Sequence, residues 1–463
     1  MSSEPVAVEP RGGQRRFWLT TAVTIAALTL ATVGLTVANA VQGPRLVSAE
    51  VNAQAAVERA GQRLILRLDQ AVAEVPASDI TVSPAVPVSI SLERATLMLR
   101  FGEVLDYATS YQITVPVRST TTDAASALTY TLRTPDAQVY VLQRTGSGAD
   151  PGQDDQIIRT VVGSSERDVV HHQPAIQEFA VAEPNLAVIA TDGDAGGRLT
   201  VEALDGSQPS RTLAENSDVT QLQSSGRGGR FGFVVRPLSG PDKDTVQLTL
   251  YDPAADEELI KVVGLDGRPL EPQVWTFVPG TDSIVAQTAD ASFYLVDPTN
   301  RVPVKPLGSH VMMLGFIDGT ATLIVQDPNS YTAIDLVTGS STPLPEFDLG
   351  DTALYQLLDL PGDRGMVAQL ASFSEEEKLR YSTATIIGNQ VRPLYAPEPA
   401  TTWIQQICLS PNGQYLAVET IPADGVPDGN AALGYTNTTT VFVEVATGRS
   451  DQTVPGFGAH WCN

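Results

Sequence analysis

Residues 410–419 read SPNGQYLAVE, a tight polar turn running into an apolar strand. The same shape recurs upstream: AEPNLAVIAT from Ala182, GRGGRFGFVV from Gly226, VPGTDSIVAQ from Val278, IDGTATLIVQ from Ile317 and LPGDRGMVAQ from Leu360. Successive copies start 39 to 52 residues apart. A second series lies between them: TVEALDGSQPSRTL, LTLYDPAADEELIKV, FYLVDPTNRVPVKPL, TAIDLVTGSSTPLP, ATIIGNQVRPLY and VFVEVATGRSDQTV. Each of these is a strand, a turn of Asp, Gly or Asn, and another strand. Short apolar runs bounded by turn residues are strand signals. Four strands every ~40–50 residues is the period of a β-propeller blade.

The repeat spans residues 138–463 and counts to about seven blades, with six and eight as the alternatives. The first unit starts late, at VYVLQRTG from Val139, with its second strand near Gln156–Val161 and no innermost strand of its own. The chain ends in GFGAHWCN, which reads as an innermost strand without successors. The expectation is that this last strand completes the first blade and closes the ring. A closed ring leaves no long strand edge exposed.

Ser410-Pro411-Asn412-Gly413 resembles the turn of TolB-type and WD-like propeller repeats, with Asn412 where those repeats carry Asp. Trp461 falls where the repeat Trp would stand in the closing strand. The resemblance implies a scaffold for binding, on a fold that hosts enzymes and non-enzymes alike.

Residues 45–135 carry shorter strands. GQRLILRLDQ alternates Leu64, Leu66 and Leu68 against Ile65 and Arg67; ATLMLRF alternates Leu97, Leu99 and Phe101 against Met98 and Arg100; YQITVPV alternates Ile113, Val115 and Val117 with polar partners. About seven strands fit, the size of a two-sheet sandwich. Asp69, the run DITVSP closing on Pro84, LMLRFGEVLDYATSYQITV, and YTLRTP with Thr134 together resemble the bacterial Ig-like domain of the SbsA type. Leu105, Tyr111, Ile113 and Val115 match its late-strand motif, while RSTTTDAASA lacks the Gly often seen before its last strand. The resemblance implies a spacing or adhesion role. Tyr111 reads as a packed core aromatic.

From Phe17 to Pro44 no residue is charged, and FWLTTAVTIAALTLATVGLTVANA is long enough for a membrane span of about 20 residues. Arg11, Arg15 and Arg16 precede it and Arg45 alone follows closely, an asymmetry that keeps residues 1–16 cytoplasmic and sends the rest outside. The segment 17–40 is therefore a single-pass anchor or a signal peptide. Ala38-Asn39-Ala40 is a candidate cleavage site, although the apolar run exceeds the usual ~7–15-residue core. Both readings put residues 45–463 outside the cytoplasm, at the cell membrane or secreted after cleavage near Ala40.

The chain has 463 residues and a formal charge of −24. Phosphate neutralisation needs Lys and Arg, so such acidity argues against nucleic-acid partners. It argues equally against a polybasic lipid contact, and its simplest meaning is solubility. The only cysteines, Cys408 and Cys462, are expected on the innermost strands of the last and first blades, neighbours in a closed ring. Two cysteines in an oxidising compartment suggest one disulfide. His460 alone does not complete a zinc set with them.

Chemistry is sparse. The histidines are His171, His172, His310 and His460, and no G-x-S-x-G, Walker or Rossmann motif occurs. His171 and His172 sit side by side on a strand and point to opposite faces. Asp192-Gly193-Asp194 is a fragment of a calcium loop and reads better as a turn. Glu375-Glu376-Glu377-Lys378 reads as a solvated loop. The sequence thus predicts no catalytic residue, cofactor or metal ligand. It predicts an all-β envelope protein: an N-terminal transmembrane helix, an Ig-like sandwich as stalk, and a propeller that binds a protein, peptide or glycan. The alternative is a propeller hydrolase acting on envelope or extracellular polymers.

Overall fold

A computed structural model describes residues 12–145, 154–191, 196–225, 229–243, 245–255, 259–299, 301–317, 320–344, 347–362, 364–373, 379–388, 390–432 and 434–462, with Cys462 and the helix residues outside 17–32 described by backbone only. The readings made for Asp192–Asp194 and Glu375–Lys378 lie outside the described residues. The chain divides into two compact units: Met1–Leu105 with Thr109–Thr134, and Asp106–Ala108 with Pro135–Asn463.

The first unit opens on helix α1, Gly12–Val41. Among the described side chains its threonines do not leave hydroxyls unpaired. Thr21 donates to the carbonyl of Phe17 at 2.8 Å, Thr24 to Thr20 at 2.8 Å and Thr29 to Ile25 at 2.8 Å, the back-bonding that lets such residues sit in a helix. Among the described residues, however, no helix is long and apolar enough to cross a membrane, so the span expected at residues 17–40 is not a finding of the structure.

Seven strands follow: β1 Leu46–Glu50, β2 Arg63–Leu68, β3 Thr81–Ser83, β4 Val88–Glu93, β5 Thr96–Phe101, β6 Ser110–Arg118 and β7 Ala125–Arg133. They form two antiparallel sheets, ordered β1-β2-β5-β4 and β3-β6-β7. The alternation read from sequence is the burial pattern: Leu64, Leu66, Leu97, Leu99, Ile113 and Val115 are buried, and Tyr111 with them. A short helix α2, Ala53–Glu58, was not foreseen; Asn52 caps it, its side chain accepting from the amide of Ala55 at 3.0 Å.

The second unit is a β-propeller. Its described sheets resolve into seven blades once one strand is counted twice. Arg211–Ser224 pairs through its first half with Gly197–Ala203 and through its second with Phe231–Pro237, so it ends blade two and begins blade three. Blade one holds only Gln138–Gln143, Asp155–Val161 and Arg167–Gln173. Blade two runs from innermost Ile176–Ala182 through Asn185–Thr191 and Gly197–Ala203. Blades four to seven begin with innermost strands Val274–Phe277, Met312–Ile317, Ala353–Asp359 and Trp403–Leu409, each followed by three antiparallel strands.

The missing inner edge of blade one is taken by the C-terminus. Leu142 and Phe457 exchange both backbone hydrogen bonds, at 2.8 and 2.9 Å. The contact is a single bridge, not the full strand expected. Gly456 (φ +118°) and Gly458 (φ +64°) flank it, and a Cβ on Gly456 would lie 2.6 Å from the carbonyl oxygen of Leu142. The chain then winds into a 3₁₀ turn, His460–Cys462, so Trp461 and Cys462 stand on that turn and not on an innermost strand. Trp461 meets Phe442 edge-on at 5.7 Å.

Closure shows in the cores between blades. Val139 and Ile158 of blade one pack with Phe442 and Val454 of blade seven. Tyr140 and Ile157 meet Phe179 and Val188 of blade two. Ile189 and Leu199 meet Phe231 and Phe233 of blade three, and Leu248 and Leu250 meet Trp275 and Ile284 of blade four. Val285 and Phe293 meet Leu323 and Val325, Ile324 meets Leu357 and Ala368, and Val367 meets Ile407 and Val418. Every seam of the ring is apolar, so each blade's outer faces are buried only by its neighbours.

Candidate functional site

Strand direction defines two ends. Each innermost strand starts at one end, here called the entrance, and its partner runs back antiparallel. The connections from second to third strand, and from outermost strand to the next innermost, therefore lie at the entrance.

At the entrance the innermost strands of blades four to seven each expose an apolar side chain within their first three residues. They are Val274, Met312, Tyr355 and Trp403, with Tyr355 55% and Trp403 50% exposed. Tyr355 reaches solvent because of a bulge. Its strand loses register between Leu354 and Gln356, which turns the intervening side chain out of the pairing. The ring of Tyr355 meets Tyr381 edge-on at 6.4 Å, fixing its direction. Phe373, 74% exposed, pairs across its hairpin with the exposed Leu379 at the same end. Comparable register breaks leave Gln177 of blade two, Leu314 of blade five and Gln405 of blade seven out of the pairing.

Behind the rim, long polar side chains tie several innermost strands to the next. Glu178 accepts from the amides of Gln221 at 3.1 Å and Leu222 at 2.7 Å; burial pushes its carboxyl up while those bonds oppose the rise. Gln223 donates to the carbonyl of Trp275 at 2.8 Å. Gln356 donates to the carbonyl of Ile407 at 3.0 Å and accepts from its amide at 3.3 Å. A second tier comes from the neighbouring strands. Gln287 donates to the carbonyl of Val311 at 3.1 Å, Gln369 to that of Ile404 at 3.0 Å, and Glu419 accepts from the amide of Ala459 at 3.0 Å. These three residues end the repeated segments VPGTDSIVAQ, LPGDRGMVAQ and SPNGQYLAVE. The sequence reading missed them, although a polar residue closing the apolar run in these three copies was the signal.

A strap, residues 422–438, leaves blade seven at the entrance and reaches blade two. Asp428 and Arg144 form a buried ion pair at 2.7 Å, with side chains 2% and 3% exposed. Arg144 also donates to the carbonyls of Ile176, Gln177 and Ala432 at 2.9, 2.7 and 2.8 Å. Gln177, the bulged residue of its strand, donates to Asn430 at 2.9 Å and accepts from the amide of Ala432 at 3.0 Å. A small cavity beneath the strap is lined by Gln177, Glu178, Asp218, Thr220 and Ala432.

The singled-out histidines are scattered. His171 pairs with Glu202 at 2.7 Å, His172 with Asp154 at 2.8 Å and His310 with Asp327 at 2.7 Å. His460 is buried at the ring seam, where its Nδ1 accepts from the amide of Tyr140 at 3.1 Å; burial pushes its pKa down to about 3. Among the described residues no three His, Cys, Asp or Glu side chains are grouped to hold a metal ion. Cys408 is buried in the same seam. Ser410–Gly413 is a turn: the Asn412 Oδ1 accepts from the Ser410 hydroxyl at 2.9 Å and the Gln414 amide at 3.0 Å.

No family model matches the chain. No curated protein matches it either. Solved structures similar to it are β-propeller proteins, TolB among them. The propeller domain of the Trilobed protease from Pyrococcus furiosus is 10% identical, with 72% of this chain and 90% of that chain covered and a TM-score of 0.40. The Pseudomonas aeruginosa periplasmic gluconolactonase is 14% identical over 70% and 98%, with a TM-score of 0.39. TolB from Acinetobacter baumannii is 11% identical over 81% of each chain, with a TM-score of 0.34. The fold itself is read from the sheet order and the seams described above.

Proposed function

We propose that this chain is an extracytoplasmic envelope protein whose propeller binds a macromolecular partner, polypeptide or glycan, at its entrance. The exposed rim of Val274, Met312, Tyr355 and Trp403 carries the reading. Exposed apolar side chains gathered at one place mark interaction sites, and Tyr and Trp dominate binding energy in such places. The polar ties behind the rim hold it in one geometry before binding, which lowers the ordering cost.

The rest of the layout belongs to the same proposal. Helix α1 serves as anchor: at 1.5 Å per residue its 30 residues reach about 45 Å, against a hydrocarbon core of about 30 Å. Residues 45–135 serve as an Ig-like stalk of the SbsA type, a reading supported by a strand order equal to the A-B-E-D and C-F-G sheets of that architecture. Cys408 and Cys462 form a disulfide across the ring seam; the burial of Cys408 there and the packing of Trp461 against the same core support it. No described cysteine is free. Mass spectrometry of the non-reduced protein is expected to show a chain lighter by two hydrogens and inert to alkylation.

The test uses the purified full chain as bait in an envelope extract. Wild type is expected to retain a polypeptide or glycan that the Tyr355→Ala/Trp403→Ala variant loses at unchanged melting temperature. Equal retention by both proteins contradicts the site. Turnover of an extracellular polymer by the bait would favour the hydrolase alternative.

A further inference from the structure

The binding reading leaves open what the partner is made of, and the charges around the rim narrow it. On the arc of blades four to seven, the described entrance connections expose Glu271, Asp290, Asp348, Asp351, Glu398 and Asp424. Thr288 and Ser292 hydrogen-bond the Asp290 carboxylate and hold its pKa below the usual carboxylate range. The exposed cations of the described residues at this end of the same arc are Arg268 and Arg380, and Arg268 is paired with Asp266 at 3.6 Å. The rim is thus an apolar centre of two aromatic and two aliphatic side chains, among connections whose exposed charges are mostly carboxylates.

We propose that the entrance of blades four to seven docks a cationic, amphipathic segment of polypeptide. Its apolar side chains seat on Val274, Met312, Tyr355 and Trp403, and its lysines or arginines face the surrounding carboxylates. This rests on the binding function proposed above and names its partner. Nucleic acid and anionic lipid are disfavoured, since both would bring negative charge to connections that expose mostly carboxylates. A neutral glycan would use the aromatic rings but neither the aliphatic half of the rim nor the charges. Exposed carboxylates add little to affinity singly; they steer association and reject like-charged competitors, while the desolvated centre holds the segment.

Fluorescence anisotropy on the full chain decides it, with three labelled synthetic helical peptides of equal length built from Lys and Leu, from Glu and Leu, and from Lys and Ser. The Lys/Leu peptide is expected to bind at least ~10-fold tighter than the other two, a step of one decade in Kd. Tyr355→Ala/Trp403→Ala is expected to weaken it about tenfold. Glu271→Lys/Glu398→Lys is expected to slow association and flatten the salt dependence. Glu166→Lys/Asp205→Lys, on connections at the opposite end, is expected to change nothing and controls for overall charge. Equal loss from that opposite pair, or equal affinity for the Glu/Leu peptide, overturns the proposal. An oligomer of N-acetylglucosamine, or the Glu/Leu peptide, binding in a manner that needs Tyr355 and Trp403 would overturn the cationic partner and leave the binding function standing. Binding of every probe regardless of those two aromatics would sink both.

Discussion

Glu419 and His460 each tie the His460–Cys462 turn to the ring, through the amides of Ala459 and Tyr140, and burial shifts them in opposite senses. Burial pushes the Glu419 carboxyl up to about 7 from an ordinary 4.5, although amides of Gly458 and Ala459 pull it back. The folded state therefore favours protonated Glu419. Its contribution is complete below pH 4.5 and lost as pH rises through 7. Burial holds His460 down at about 3, against 6.5 when exposed, so the folded state favours the neutral ring. That contribution is complete above pH 6.5 and lost as pH falls toward 3. Between pH 4.5 and 6.5 the two slopes oppose each other, and the melting temperature is expected to change little from these groups. Glu419→Gln removes one slope. Calorimetry across that window is then expected to show stability rising with pH relative to wild type, by a few kcal/mol in total. A difference that stays flat would show that Glu419 is not protonated in the fold. Neither titration was legible in sequence, because burial of a charge depends on what packs over it.

At the scale of elements, strand patterning did transfer. Alternation marked the buried faces of β2, β5 and β6, and Gln287, Gln369 and Glu419, the polar residues ending three of the apolar runs, turned out to tie blades together. Gln369 is fully buried and donates to the carbonyl of Ile404. Gln369→Ala leaves that carbonyl without its partner and is expected to cost about 1–3 kcal/mol in denaturant unfolding at unchanged slope. What local pattern could not give was where strands break register. The bulge that exposes Tyr355 depends on a register break against Met366–Phe373, and Tyr355 by itself reads as one more alternating residue. Close approach was equally hidden. Gly232 lies flat under Trp275, and a Cβ there would come within 2.2 Å of the indole ring. Gly232→Ala overpacks the seam between blades three and four and is expected to cost about 1–3 kcal/mol or more; a neutral result would mean that the seam can open to accept a methyl group.

For the whole molecule the repeat announced the ring, and the unpaired first and last units announced its closure. The means of closure needed three dimensions: one bridge at Leu142 and Phe457, a 3₁₀ turn, and a strap held by Arg144 and Asp428. Removing one partner of a buried ion pair strands the other, so Asp428→Ala is expected to destabilise by about 3–5 kcal/mol, far more than loss of an exposed pair such as Arg236–Asp218. The rim could not be foreseen either, because its members come from four blades spread between residues 274 and 403. Hydroxyl-radical footprinting of the full chain tests the ring and its rim together. In the free protein Tyr355, Trp403 and Met312 should oxidise readily while buried Trp275 resists, and a bound partner should protect the first three. Free oxidation of Trp275, or protection confined to residues away from the entrance, would contradict the account.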